Sequence, residues 1–291
     1  MARIGICLVQ YDPNLGDVDG NIERVDQMLG RLNPKLVDIL LLPEMAFTGY
    51  MFRDREEIYS FLEDEDGPSI SWARKTARIL QAAVLVGFPE IDSVTRQAYN
   101  SIAVVNYHGH LQTIYRKHFL YETDKTWASE GPDFQTFDLH IRGQPNPIRV
   151  SPAICMDLNP KDFVAPFDLF EFATHAKSSQ AQLILCCMNW LVSEPPEDDA
   201  DSVASTSSQT SVEQWEDVKS TLSYWALRMS PMMGSNAIFV GCNRVGTERG
   251  TTFTGSSCVM KLGEQPLVVD YAGKTGEQVI LTSVDIPPLA T

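Results

Sequence analysis

Short runs of apolar residues recur along the chain and predict buried β-strands. Clear examples are IGICLVQ at 4–10, AAVLVGFPE at 82–90 and QLILCCMNW at 182–190. Similar runs lie at 37–43, 100–106, 148–154, 236–243, 256–261 and 278–285. Strands that are apolar on both faces occur in sheets covered on both sides. The pattern therefore predicts an α/β fold in which helices form the outer layers.

Three stretches between these runs have helical character. In 17–32 the apolar side chains recur at near-helical spacing, and 68–82 begins with Pro68, which suits a first helical turn. A third helix is expected around APFDLFEFATHA at 165–176. These helices would cover the outer faces of the sheets.

The segment 193–217 differs from the rest of the chain in composition. It contains eight acidic residues, six serines and no basic residue, and it carries −8 of the net charge of −15. It has few apolar groups to bury. We expect a mobile, solvated surface insertion, or alternatively a regulatory loop, within a single domain that spans residues 1–291.

Composition and charge narrow the class of protein. Of 291 residues, 44% are hydrophobic and 21% are charged, as in soluble globular proteins. The net charge of −15 disfavours a nucleic-acid partner, because that affinity comes mainly from Lys and Arg at the phosphates. The apolar runs fall short of the ~20 residues that span a membrane. The N-terminal run is typical of a first strand rather than a signal peptide.

Cysteine usage indicates a reducing compartment. Six cysteines in a chain of this length do not form a disulfide framework. We expect the protein to be located in the cytoplasm, with mitochondria and the nucleus as open alternatives. Five of the cysteines lie in apolar strand patterns and are predicted to be inert core thiols: Cys7, Cys186, Cys187, Cys242 and Cys258.

The sequence contains no motif for a metal or an organic cofactor. His108 and His110 have a spacing found in metal sites, but NYHGH at 106–110 is typical of a hairpin turn, and no Cys or carboxylate pattern completes a site. The sequence has no phosphate-binding glycine-rich loop. We therefore expect neither a metal nor a cofactor.

Three reactive residues follow predicted strands. Glu44 follows VDILLLP, Lys117 follows LQTIYR, and Cys155 follows IRVSPAI. The carboxyl ends of strands supply the ligand-binding loops of α/β sheets, so this placement favours function. Each residue alone is more typical of a solvated or structural position. Together they form a set sufficient for acyl transfer.

The chemistry of this set depends on activating the thiol. A thiol with a pKa near ~8.5 is mostly protonated at neutral pH. A nearby ammonium lowers that pKa, and a carboxylate can accept the proton. A unit charge pair at ~4 Å and an effective dielectric of ~20 is worth ~4 kcal/mol. We therefore expect Lys117 to lower the pKa of Cys155.

The three residues resemble, in order and local context, the Glu-Lys-Cys set of the nitrilase superfamily of carbon–nitrogen hydrolases. The segments that carry them are LLPEMAFTGY, YRKHFLY and ICMDLNP, and SPMMGSNAIFVGCNRVGTERGTTFTGSSCVM resembles the superfamily's downstream pattern. The likeness covers nearly the whole chain outside the acidic insertion. It implies a four-layer αββα sandwich with no cofactor.

The residues around the motifs favour one branch of the superfamily. ICMDLNP and RKHFLYETDKTW resemble the branch that deamidates N-terminal Asn and Gln of peptides and proteins to Asp and Glu. Nitrilases usually carry Trp-Glu after the nucleophile, whereas Met156 and Asp157 stand here, which favours amide substrates. Two alternatives stay open: a small-molecule amidase or carbamoylase, and a non-catalytic binding protein on the same fold.

The resemblance implies a role for each residue. Glu44 takes the thiol proton, Cys155 attacks the carboxamide, and Lys117 and the Met156 N–H stabilise the oxyanion. Water then hydrolyses the acyl thioester. The superfamily often has a second carboxylate after the lysine; the spacing to the Ser-Glu-Gly at 129–131 places Asp124 there, where Glu is usual.

Recognition of a free N-terminus adds a requirement. The substrate α-ammonium needs an acceptor, because burying an unpaired charge is costly. Glu122 and Asp124 are the preferred candidates, and Glu122 also competes for the role of second carboxylate. Asp157 either meets the ammonium or fixes the loop after the nucleophile. Asn189 and Trp190 are expected to line the pocket, although Trp190 alternatively only packs.

The segment APFDLFEF at 165–172 is a candidate interface. Members of the superfamily commonly dimerise through the helix after the nucleophile, so this segment is expected either in a homodimer contact or packed within the monomer.

Overall fold

The apolar runs form strands of two main sheets. The computed structural model describes residues 2–192 and 211–289. Within them the strands are β1 (Ala2–Gln10), β2 (Ile39–Leu41), β3 (Ala83–Ile91), β4 (Ala98–Val105), β5 (Leu111–Arg116), β6 (Phe137–Leu139), β7 (Ile148–Ile154), β8 (Leu183–Met188), β9 (Ile238–Asn243), β10 (Thr247–Glu248), β11 (Thr251–Thr252), β12 (Cys258–Leu262), β13 (Pro266–Tyr271) and β14 (Gln278–Ile286).

Each main sheet has six strands and mixes parallel and antiparallel pairs. In the described chain the first sheet has the order β14-β1-β2-β3-β4-β5 and the second the order β13-β12-β9-β8-β7-β6. The pairs β1/β2, β2/β3, β7/β8 and β8/β9 are parallel. The long crossovers that parallel strands require hold helices that cover the sheets.

The helices are α1 (Val18–Leu29), α2 (Arg55–Ile58), α3 (Pro68–Leu80), α4 (Glu122–Lys125), α5 (Glu171–Ser178) and α6 (Ser211–Arg228). Short 3-10 helices lie at Pro34–Leu36, Tyr59–Phe61, Cys155–Leu158, Lys161–Phe163, Phe167–Leu169 and Ser230–Met232. The predicted helices at 17–32 and 68–82 are confirmed as α1 and α3, each two or three residues shorter at its C-terminal end.

Three apolar clusters define four layers. One cluster lies between the sheets and joins residues such as Leu41 of β2 and Leu185 of β8. A second packs α1 and α3 on the first sheet. A third packs α5 and α6 on the second sheet, through residues such as Phe172 and Trp225. The predicted four-layer αββα sandwich is confirmed.

Two expectations need correction. The helix predicted over 165–176 is wrong in its first half, where Phe167–Leu169 is a 3-10 helix and Phe170 has a left-handed φ of 44°. The insertion predicted over 193–217 is wrong at its end, because Ser211–Arg228 is helical. Apolar side chains farther along α6, such as Val218 and Leu222, are buried and hold this helix on the sheet. Residues 193–210 lie outside the described residues.

Other expectations agree with the structure. His108 and His110 lie in the hairpin turn between β4 and β5. The five cysteines of the apolar strand patterns are free and buried. Burial raises the pKa of Cys7, and likewise that of Cys258, to about 12. No helix in the described ranges combines the length and apolarity needed to span a membrane.

Candidate active site

Glu44 lies at the carboxyl end of β2, where the chain passes close to β3. The residue is 1% exposed, and its side chain is fully buried. The close approach requires Gly87, because a Cβ there would lie 2.6 Å from the Glu44 Cα and from the Pro43 carbonyl oxygen. The Ala46 N–H donates to the Gly87 carbonyl at 2.8 Å and closes the contact. Any larger residue at 87 would displace the segment that carries Glu44.

Lys117 directly follows β5 and lies between two carboxylates. Its ammonium Nζ donates to Glu44 Oε1 at 2.7 Å and to Asp124 Oδ2 at 2.5 Å, and all three side chains are fully buried. The backbone N–H of Lys117 donates to the Asn100 carbonyl at 2.8 Å. Pairing of β4 with β5 therefore fixes the position from which the lysine reaches both acids.

Of the two candidates for the second carboxylate, Asp124 is the one that contacts the lysine. It lies in α4 and also accepts the Tyr121 backbone N–H at 2.9 Å. The short turn of α4 brings the aspartate within reach, so its shorter side chain still pairs with Lys117. Glu122, two residues earlier, is exposed.

Cys155 lies where β7 ends and a 3-10 helix begins. Its φ of 40° is in the left-handed region, which is uncommon for a residue with a side chain and is frequent at functional sites. Asp157 holds this turn through four hydrogen bonds, which agrees with the alternative that it fixes the loop after the nucleophile. The donors are the backbone N–H groups of Ile154, His118 and Phe119 and the Tyr115 hydroxyl.

Asn100, which the sequence analysis did not single out, lies at the centre of the cluster. Its Nδ2 donates to Glu44 Oε1 at 2.7 Å and to Asp124 Oδ1 at 2.9 Å. The residue precedes a strand-like apolar run, and nothing in that run signals a contact with two distant acids.

Burial decides the electrostatics of the cluster. Burial raises the pKa of Glu44, against the opposing effect of Lys117. Burial alone would lower the pKa of Lys117, but Asp124 and Glu44 outweigh it and raise the pKa. The lysine therefore stays charged.

The expectation that Lys117 lowers the pKa of Cys155 is wrong in its net effect. Burial, and then the neighbouring Glu44 carboxylate, raise the pKa of Cys155 well above its ordinary value, and Lys117 offsets only part of this. The thiol consequently rests protonated and needs a base at the moment of attack. A buried glutamate whose pKa is raised is a stronger base, so it suits this role.

A cavity of about 570 Å³ opens onto Cys155. Met156, Asn189 and Trp190 line it, and the Asn189 backbone N–H donates to Glu44 Oε2 at 2.7 Å. Both polar atoms of the buried Asn189 amide lack a partner among the described residues. The amide is therefore available to a ligand.

Four further aromatic side chains contribute to the walls of this cavity. Tyr50, Tyr121, Phe163 and Tyr224 line it, and no described lining residue is a carboxylate. Tyr50 also places its ring 5.8 Å from Lys117 Nζ. These aromatic residues come from four separate segments, so their convergence carries no local sequence signal. Two of the four lie within quoted motifs, Tyr50 in LLPEMAFTGY and Tyr121 in YRKHFLY.

A larger cavity of about 760 Å³ lies elsewhere and is lined by charged residues such as Arg78, Asp92 and Arg116. It shares no lining residue with the cavity at Cys155 and contains no cysteine. The thiol of Cys155 and the buried charges beside it favour the smaller cavity as the candidate site.

Comparison with known proteins defines the class. Residues 5–165 match the family model of the carbon-nitrogen hydrolases. The chain belongs to this family, and the resemblance to the nitrilase superfamily is confirmed.

Similar proteins define a branch within the class. A protein N-terminal amidase of Schizosaccharomyces pombe is 36% identical over 94% of this chain and 96% of its own length. A crystal structure of N-terminal amidase with an Asn-Glu-Ala peptide is 26% identical and has a TM-score of 0.83 over 97% of both chains. A structure with a Gln-Gly peptide has a TM-score of 0.83, with 25% identity over 97% of both chains.

Proposed function

We propose that this chain hydrolyses the side-chain amides of N-terminal Asn and Gln in peptides and proteins, yielding Asp and Glu and releasing ammonia. The observation that carries the proposal is the buried set of Glu44, Lys117 and Asp124, which lies beside Cys155 at a cavity of about 570 Å³. The similarity to an N-terminal amidase over nearly the full length of both chains supports the substrate class.

The first half of the reaction forms a thioester. Glu44 accepts the thiol proton as Cys155 Sγ bonds to the carboxamide carbon, and the carbonyl oxygen becomes an oxyanion. The Lys117 ammonium and the Met156 N–H stabilise that charge; losing one such donor typically costs ~3 to 4 kcal/mol of barrier. Glu44 then gives its proton to the nitrogen, the C–N bond breaks, and ammonia leaves.

The second half returns the thiol. Glu44 takes a proton from water, whose oxygen attacks the thioester carbon. The C–S bond breaks, Glu44 returns the proton to Sγ, and the carboxylic acid product leaves and gives its own proton to the solvent, where it becomes the carboxylate. Asp124 keeps Lys117 charged and fixed throughout, because the ion pair joins them at 2.5 Å.

Recognition of the α-ammonium is proposed for the cavity mouth. Asp157 and Asp124 are occupied by donors of their own chain, which leaves Glu122 as the exposed carboxylate beside the cavity residue Tyr121. The unpartnered Asn189 Oδ1 adds a neutral acceptor inside the cavity. Aromatic faces such as that of Trp190 also attract ammonium groups.

An ammonia assay tests the proposal. Asn-initiated and Gln-initiated peptides are compared with their N-acetylated copies and with free glutamine. We expect ammonia from the peptides with a free N-terminus and little from the acetylated copies. Equal turnover of the acetylated and the free peptides would contradict the proposal that the protein recognises a free N-terminus. Turnover of free glutamine alone would indicate a small-molecule amidase.

We also propose that the chain forms a homodimer through the segment after the nucleophile. Phe163, Val164, Phe167 and Leu169 are between 47% and 84% exposed, which is unusual for a neighbouring set of apolar side chains. Light scattering after gel filtration is expected to give a dimer mass, and Phe167→Glu a monomer mass. A monomer in the unsubstituted protein would contradict the proposal.

For localisation we propose a reducing compartment such as the cytoplasm. Six cysteines are free, and Cys155 must remain a thiol to react. Cell fractionation that places the protein in a secreted fraction would contradict this.

A further inference from the structure

Asn100 connects the two carboxylates that bind Lys117. Its two amide hydrogens go to different acids, with Nδ2 lying 2.7 Å from Glu44 Oε1 and 2.9 Å from Asp124 Oδ1. Lys117 Nζ contacts the same two acids. The four side chains therefore form a closed ring in which donors and acceptors alternate.

The ring reduces the repulsion between the two buried carboxylates. Two buried carboxylates held around one ammonium carry an excess negative charge, and close like charges drive one of them to bind a proton. The positive end of an amide dipole offsets that tendency without adding a charge. A lysine at position 100 would bury a second ammonium, and an aspartate would add a third acid.

The orientation of the amide is fixed by the same neighbours. With Nδ2 toward the acids, Asn100 Oδ1 is buried and has no partner among the described residues. The flipped amide would direct an oxygen at two carboxylate oxygens, which is unfavourable. Asn100 Oδ1 therefore stays buried without a partner among the described residues, while both amide hydrogens bond to Glu44 and Asp124.

The ring also distinguishes the two oxygens of Glu44. Oε1 accepts from both Asn100 and Lys117, which fills its two lone-pair sites. Oε2 accepts only the Asn189 backbone N–H, at 2.7 Å, among the described residues. Oε2 therefore has one site left for a proton.

We propose that Asn100 is a positioning residue of the amidase reaction, which holds Glu44 ionised and leaves its Oε2 oxygen to exchange protons with Cys155, the leaving nitrogen and water. This inference rests on the proposed function. Asn100 acts through Glu44 and Asp124.

The pH dependence of the reaction is the readout that separates this role from a structural one. The Asn100 hydrogen bond favours the charged form of Glu44 and lowers its pKa. The titratable groups that also face Glu44 are Lys117, Asp124, Cys155, Cys187 and Tyr50. All of these residues are kept when Asn100 is substituted, and among them only Asp124 loses a hydrogen bond from Asn100 together with Glu44. A shift of the profile therefore reports the loss of the amide donors from this pair of carboxylates.

The test measures kcat/KM against pH for Asn100→Leu, which removes both donors at similar volume, and for Asn100→Ser, which keeps one hydroxyl donor. Without the donors Glu44 binds its proton more tightly, so we expect the acid limb to move up by about one pH unit and kcat/KM on that limb to fall roughly tenfold. Asn100→Ser should shift less, and Asn100→Asp should shift more than Asn100→Leu.

Gln182→Leu is the matched control. Gln182 is a buried amide whose side chain bonds, within the described ranges, to the backbone N–H of Arg149 and the Pro287 carbonyl, and it lies at the opposite end of β8 from Asn189. We expect it to lower Tm without moving the pH profile. An Asn100→Leu profile that keeps its acid limb, with or without a uniform loss of activity, would overturn the proposal.

Alkylation of Cys155 by iodoacetamide, followed by peptide mass spectrometry, gives a readout without substrate. The rate of alkylation is measured against pH. If Glu44 takes the thiol proton, the acid limb of this rate should also move to higher pH in Asn100→Leu. Suppose that the protein releases ammonia from no amide, but that the alkylation profile of Asn100→Leu is shifted. This result would refute the proposed function and support the role of Asn100. Identical alkylation profiles in the unsubstituted protein and in Asn100→Leu would refute that role.

Discussion

Asp157 accepts four hydrogen bonds and thereby fixes the turn that carries Cys155. Burial raises the pKa of Asp157, while the N–H donors of Phe119 and Ile154 act in the opposite direction. The donors belong to β5, β7 and the segment after Lys117, so one carboxylate ties together the segments that carry the thiol and the amine.

Replacing this carboxylate is expected to affect both stability and turnover. Asp157→Leu leaves three backbone N–H groups and a tyrosine hydroxyl buried without their acceptor, and each such group costs about 1–3 kcal/mol. We expect urea unfolding to show a loss of at least ~3 kcal/mol, together with a fall in kcat. Unchanged stability would mean that the turn does not depend on Asp157.

Single residues of the site differ in how far the sequence revealed them. Glu44, Lys117 and Cys155 follow predicted strands and carry reactive groups, so position and chemistry indicated them together. Asn100 and Tyr50 have ordinary side chains, and their role exists only because β4 lies beside β5 and the loop after β2 folds over Lys117. Such contacts between distant segments leave no local pattern.

The loop after β2 is held by a buried ion pair between Glu248 of β10 and Arg244, which directly follows β9. Glu248 Oε1 accepts the N–H groups of Tyr50 at 2.8 Å and Met51 at 2.5 Å, while its Oε2 pairs with Arg244 at 2.6 Å. Gly49 adjoins this contact with a φ of 76°, and a Cβ there would lie 2.7 Å from Glu248 Oε2. The pair thus fixes the segment that places Tyr50 in the cavity wall.

Breaking this pair should destabilise the fold strongly. Glu248→Leu leaves the nearly fully buried Arg244 with Asp12 as its remaining carboxylate partner, at 2.8 Å, and it removes the acceptor of the Tyr50 and Met51 N–H groups. Each buried group without a partner typically costs about 1–3 kcal/mol. We expect a loss of stability in urea unfolding, and an increase in KM because Tyr50 is released. Glu57→Gln, which disrupts an exposed pair with Arg249, is the control and should change stability much less. Equal effects of the two substitutions would contradict this account.

Local pattern predicted α1 and α3 well because their apolar spacing is regular. It failed at 165–176, where Pro166 and the left-handed Phe170 interrupt the helix. It also missed the beginning of α6, because the acidic residues there masked the apolar positions that follow. The first error reflects the local backbone at Pro166 and Phe170. The second reflects packing, because buried side chains later in α6 hold a helix that begins with acidic residues.

The stability of the molecule should depend on pH through Glu63. Burial raises the pKa of Glu63 to about 7 against its hydrogen bonds from Ser69. In the unfolded chain this carboxyl loses its proton near its ordinary pKa of 4.5. Between these two values the folded state binds more protons, so the contribution of Glu63 to stability falls as pH rises from about 4.5 to about 7.

Glu63→Gln tests this sign, because the amide does not titrate. The difference in unfolding free energy between Glu63→Gln and the unsubstituted protein should shift in favour of the variant by roughly 3 kcal/mol between pH 4.5 and pH 8. Urea unfolding at both values measures the shift, and other titrating groups cancel in the comparison. A difference that does not change with pH would place the pKa of Glu63 near its ordinary value.

The arrangement of the whole molecule brings an acid, an amine and a thiol from both sheets to one buried cluster, and the hydrolytic function depends on that meeting. Ammonia release from an Asn-initiated peptide by Cys155→Ala, measured beside its thermal unfolding, tests this most directly. We predict complete loss of turnover with an unchanged Tm. Persistent turnover in that variant would contradict the thioester mechanism.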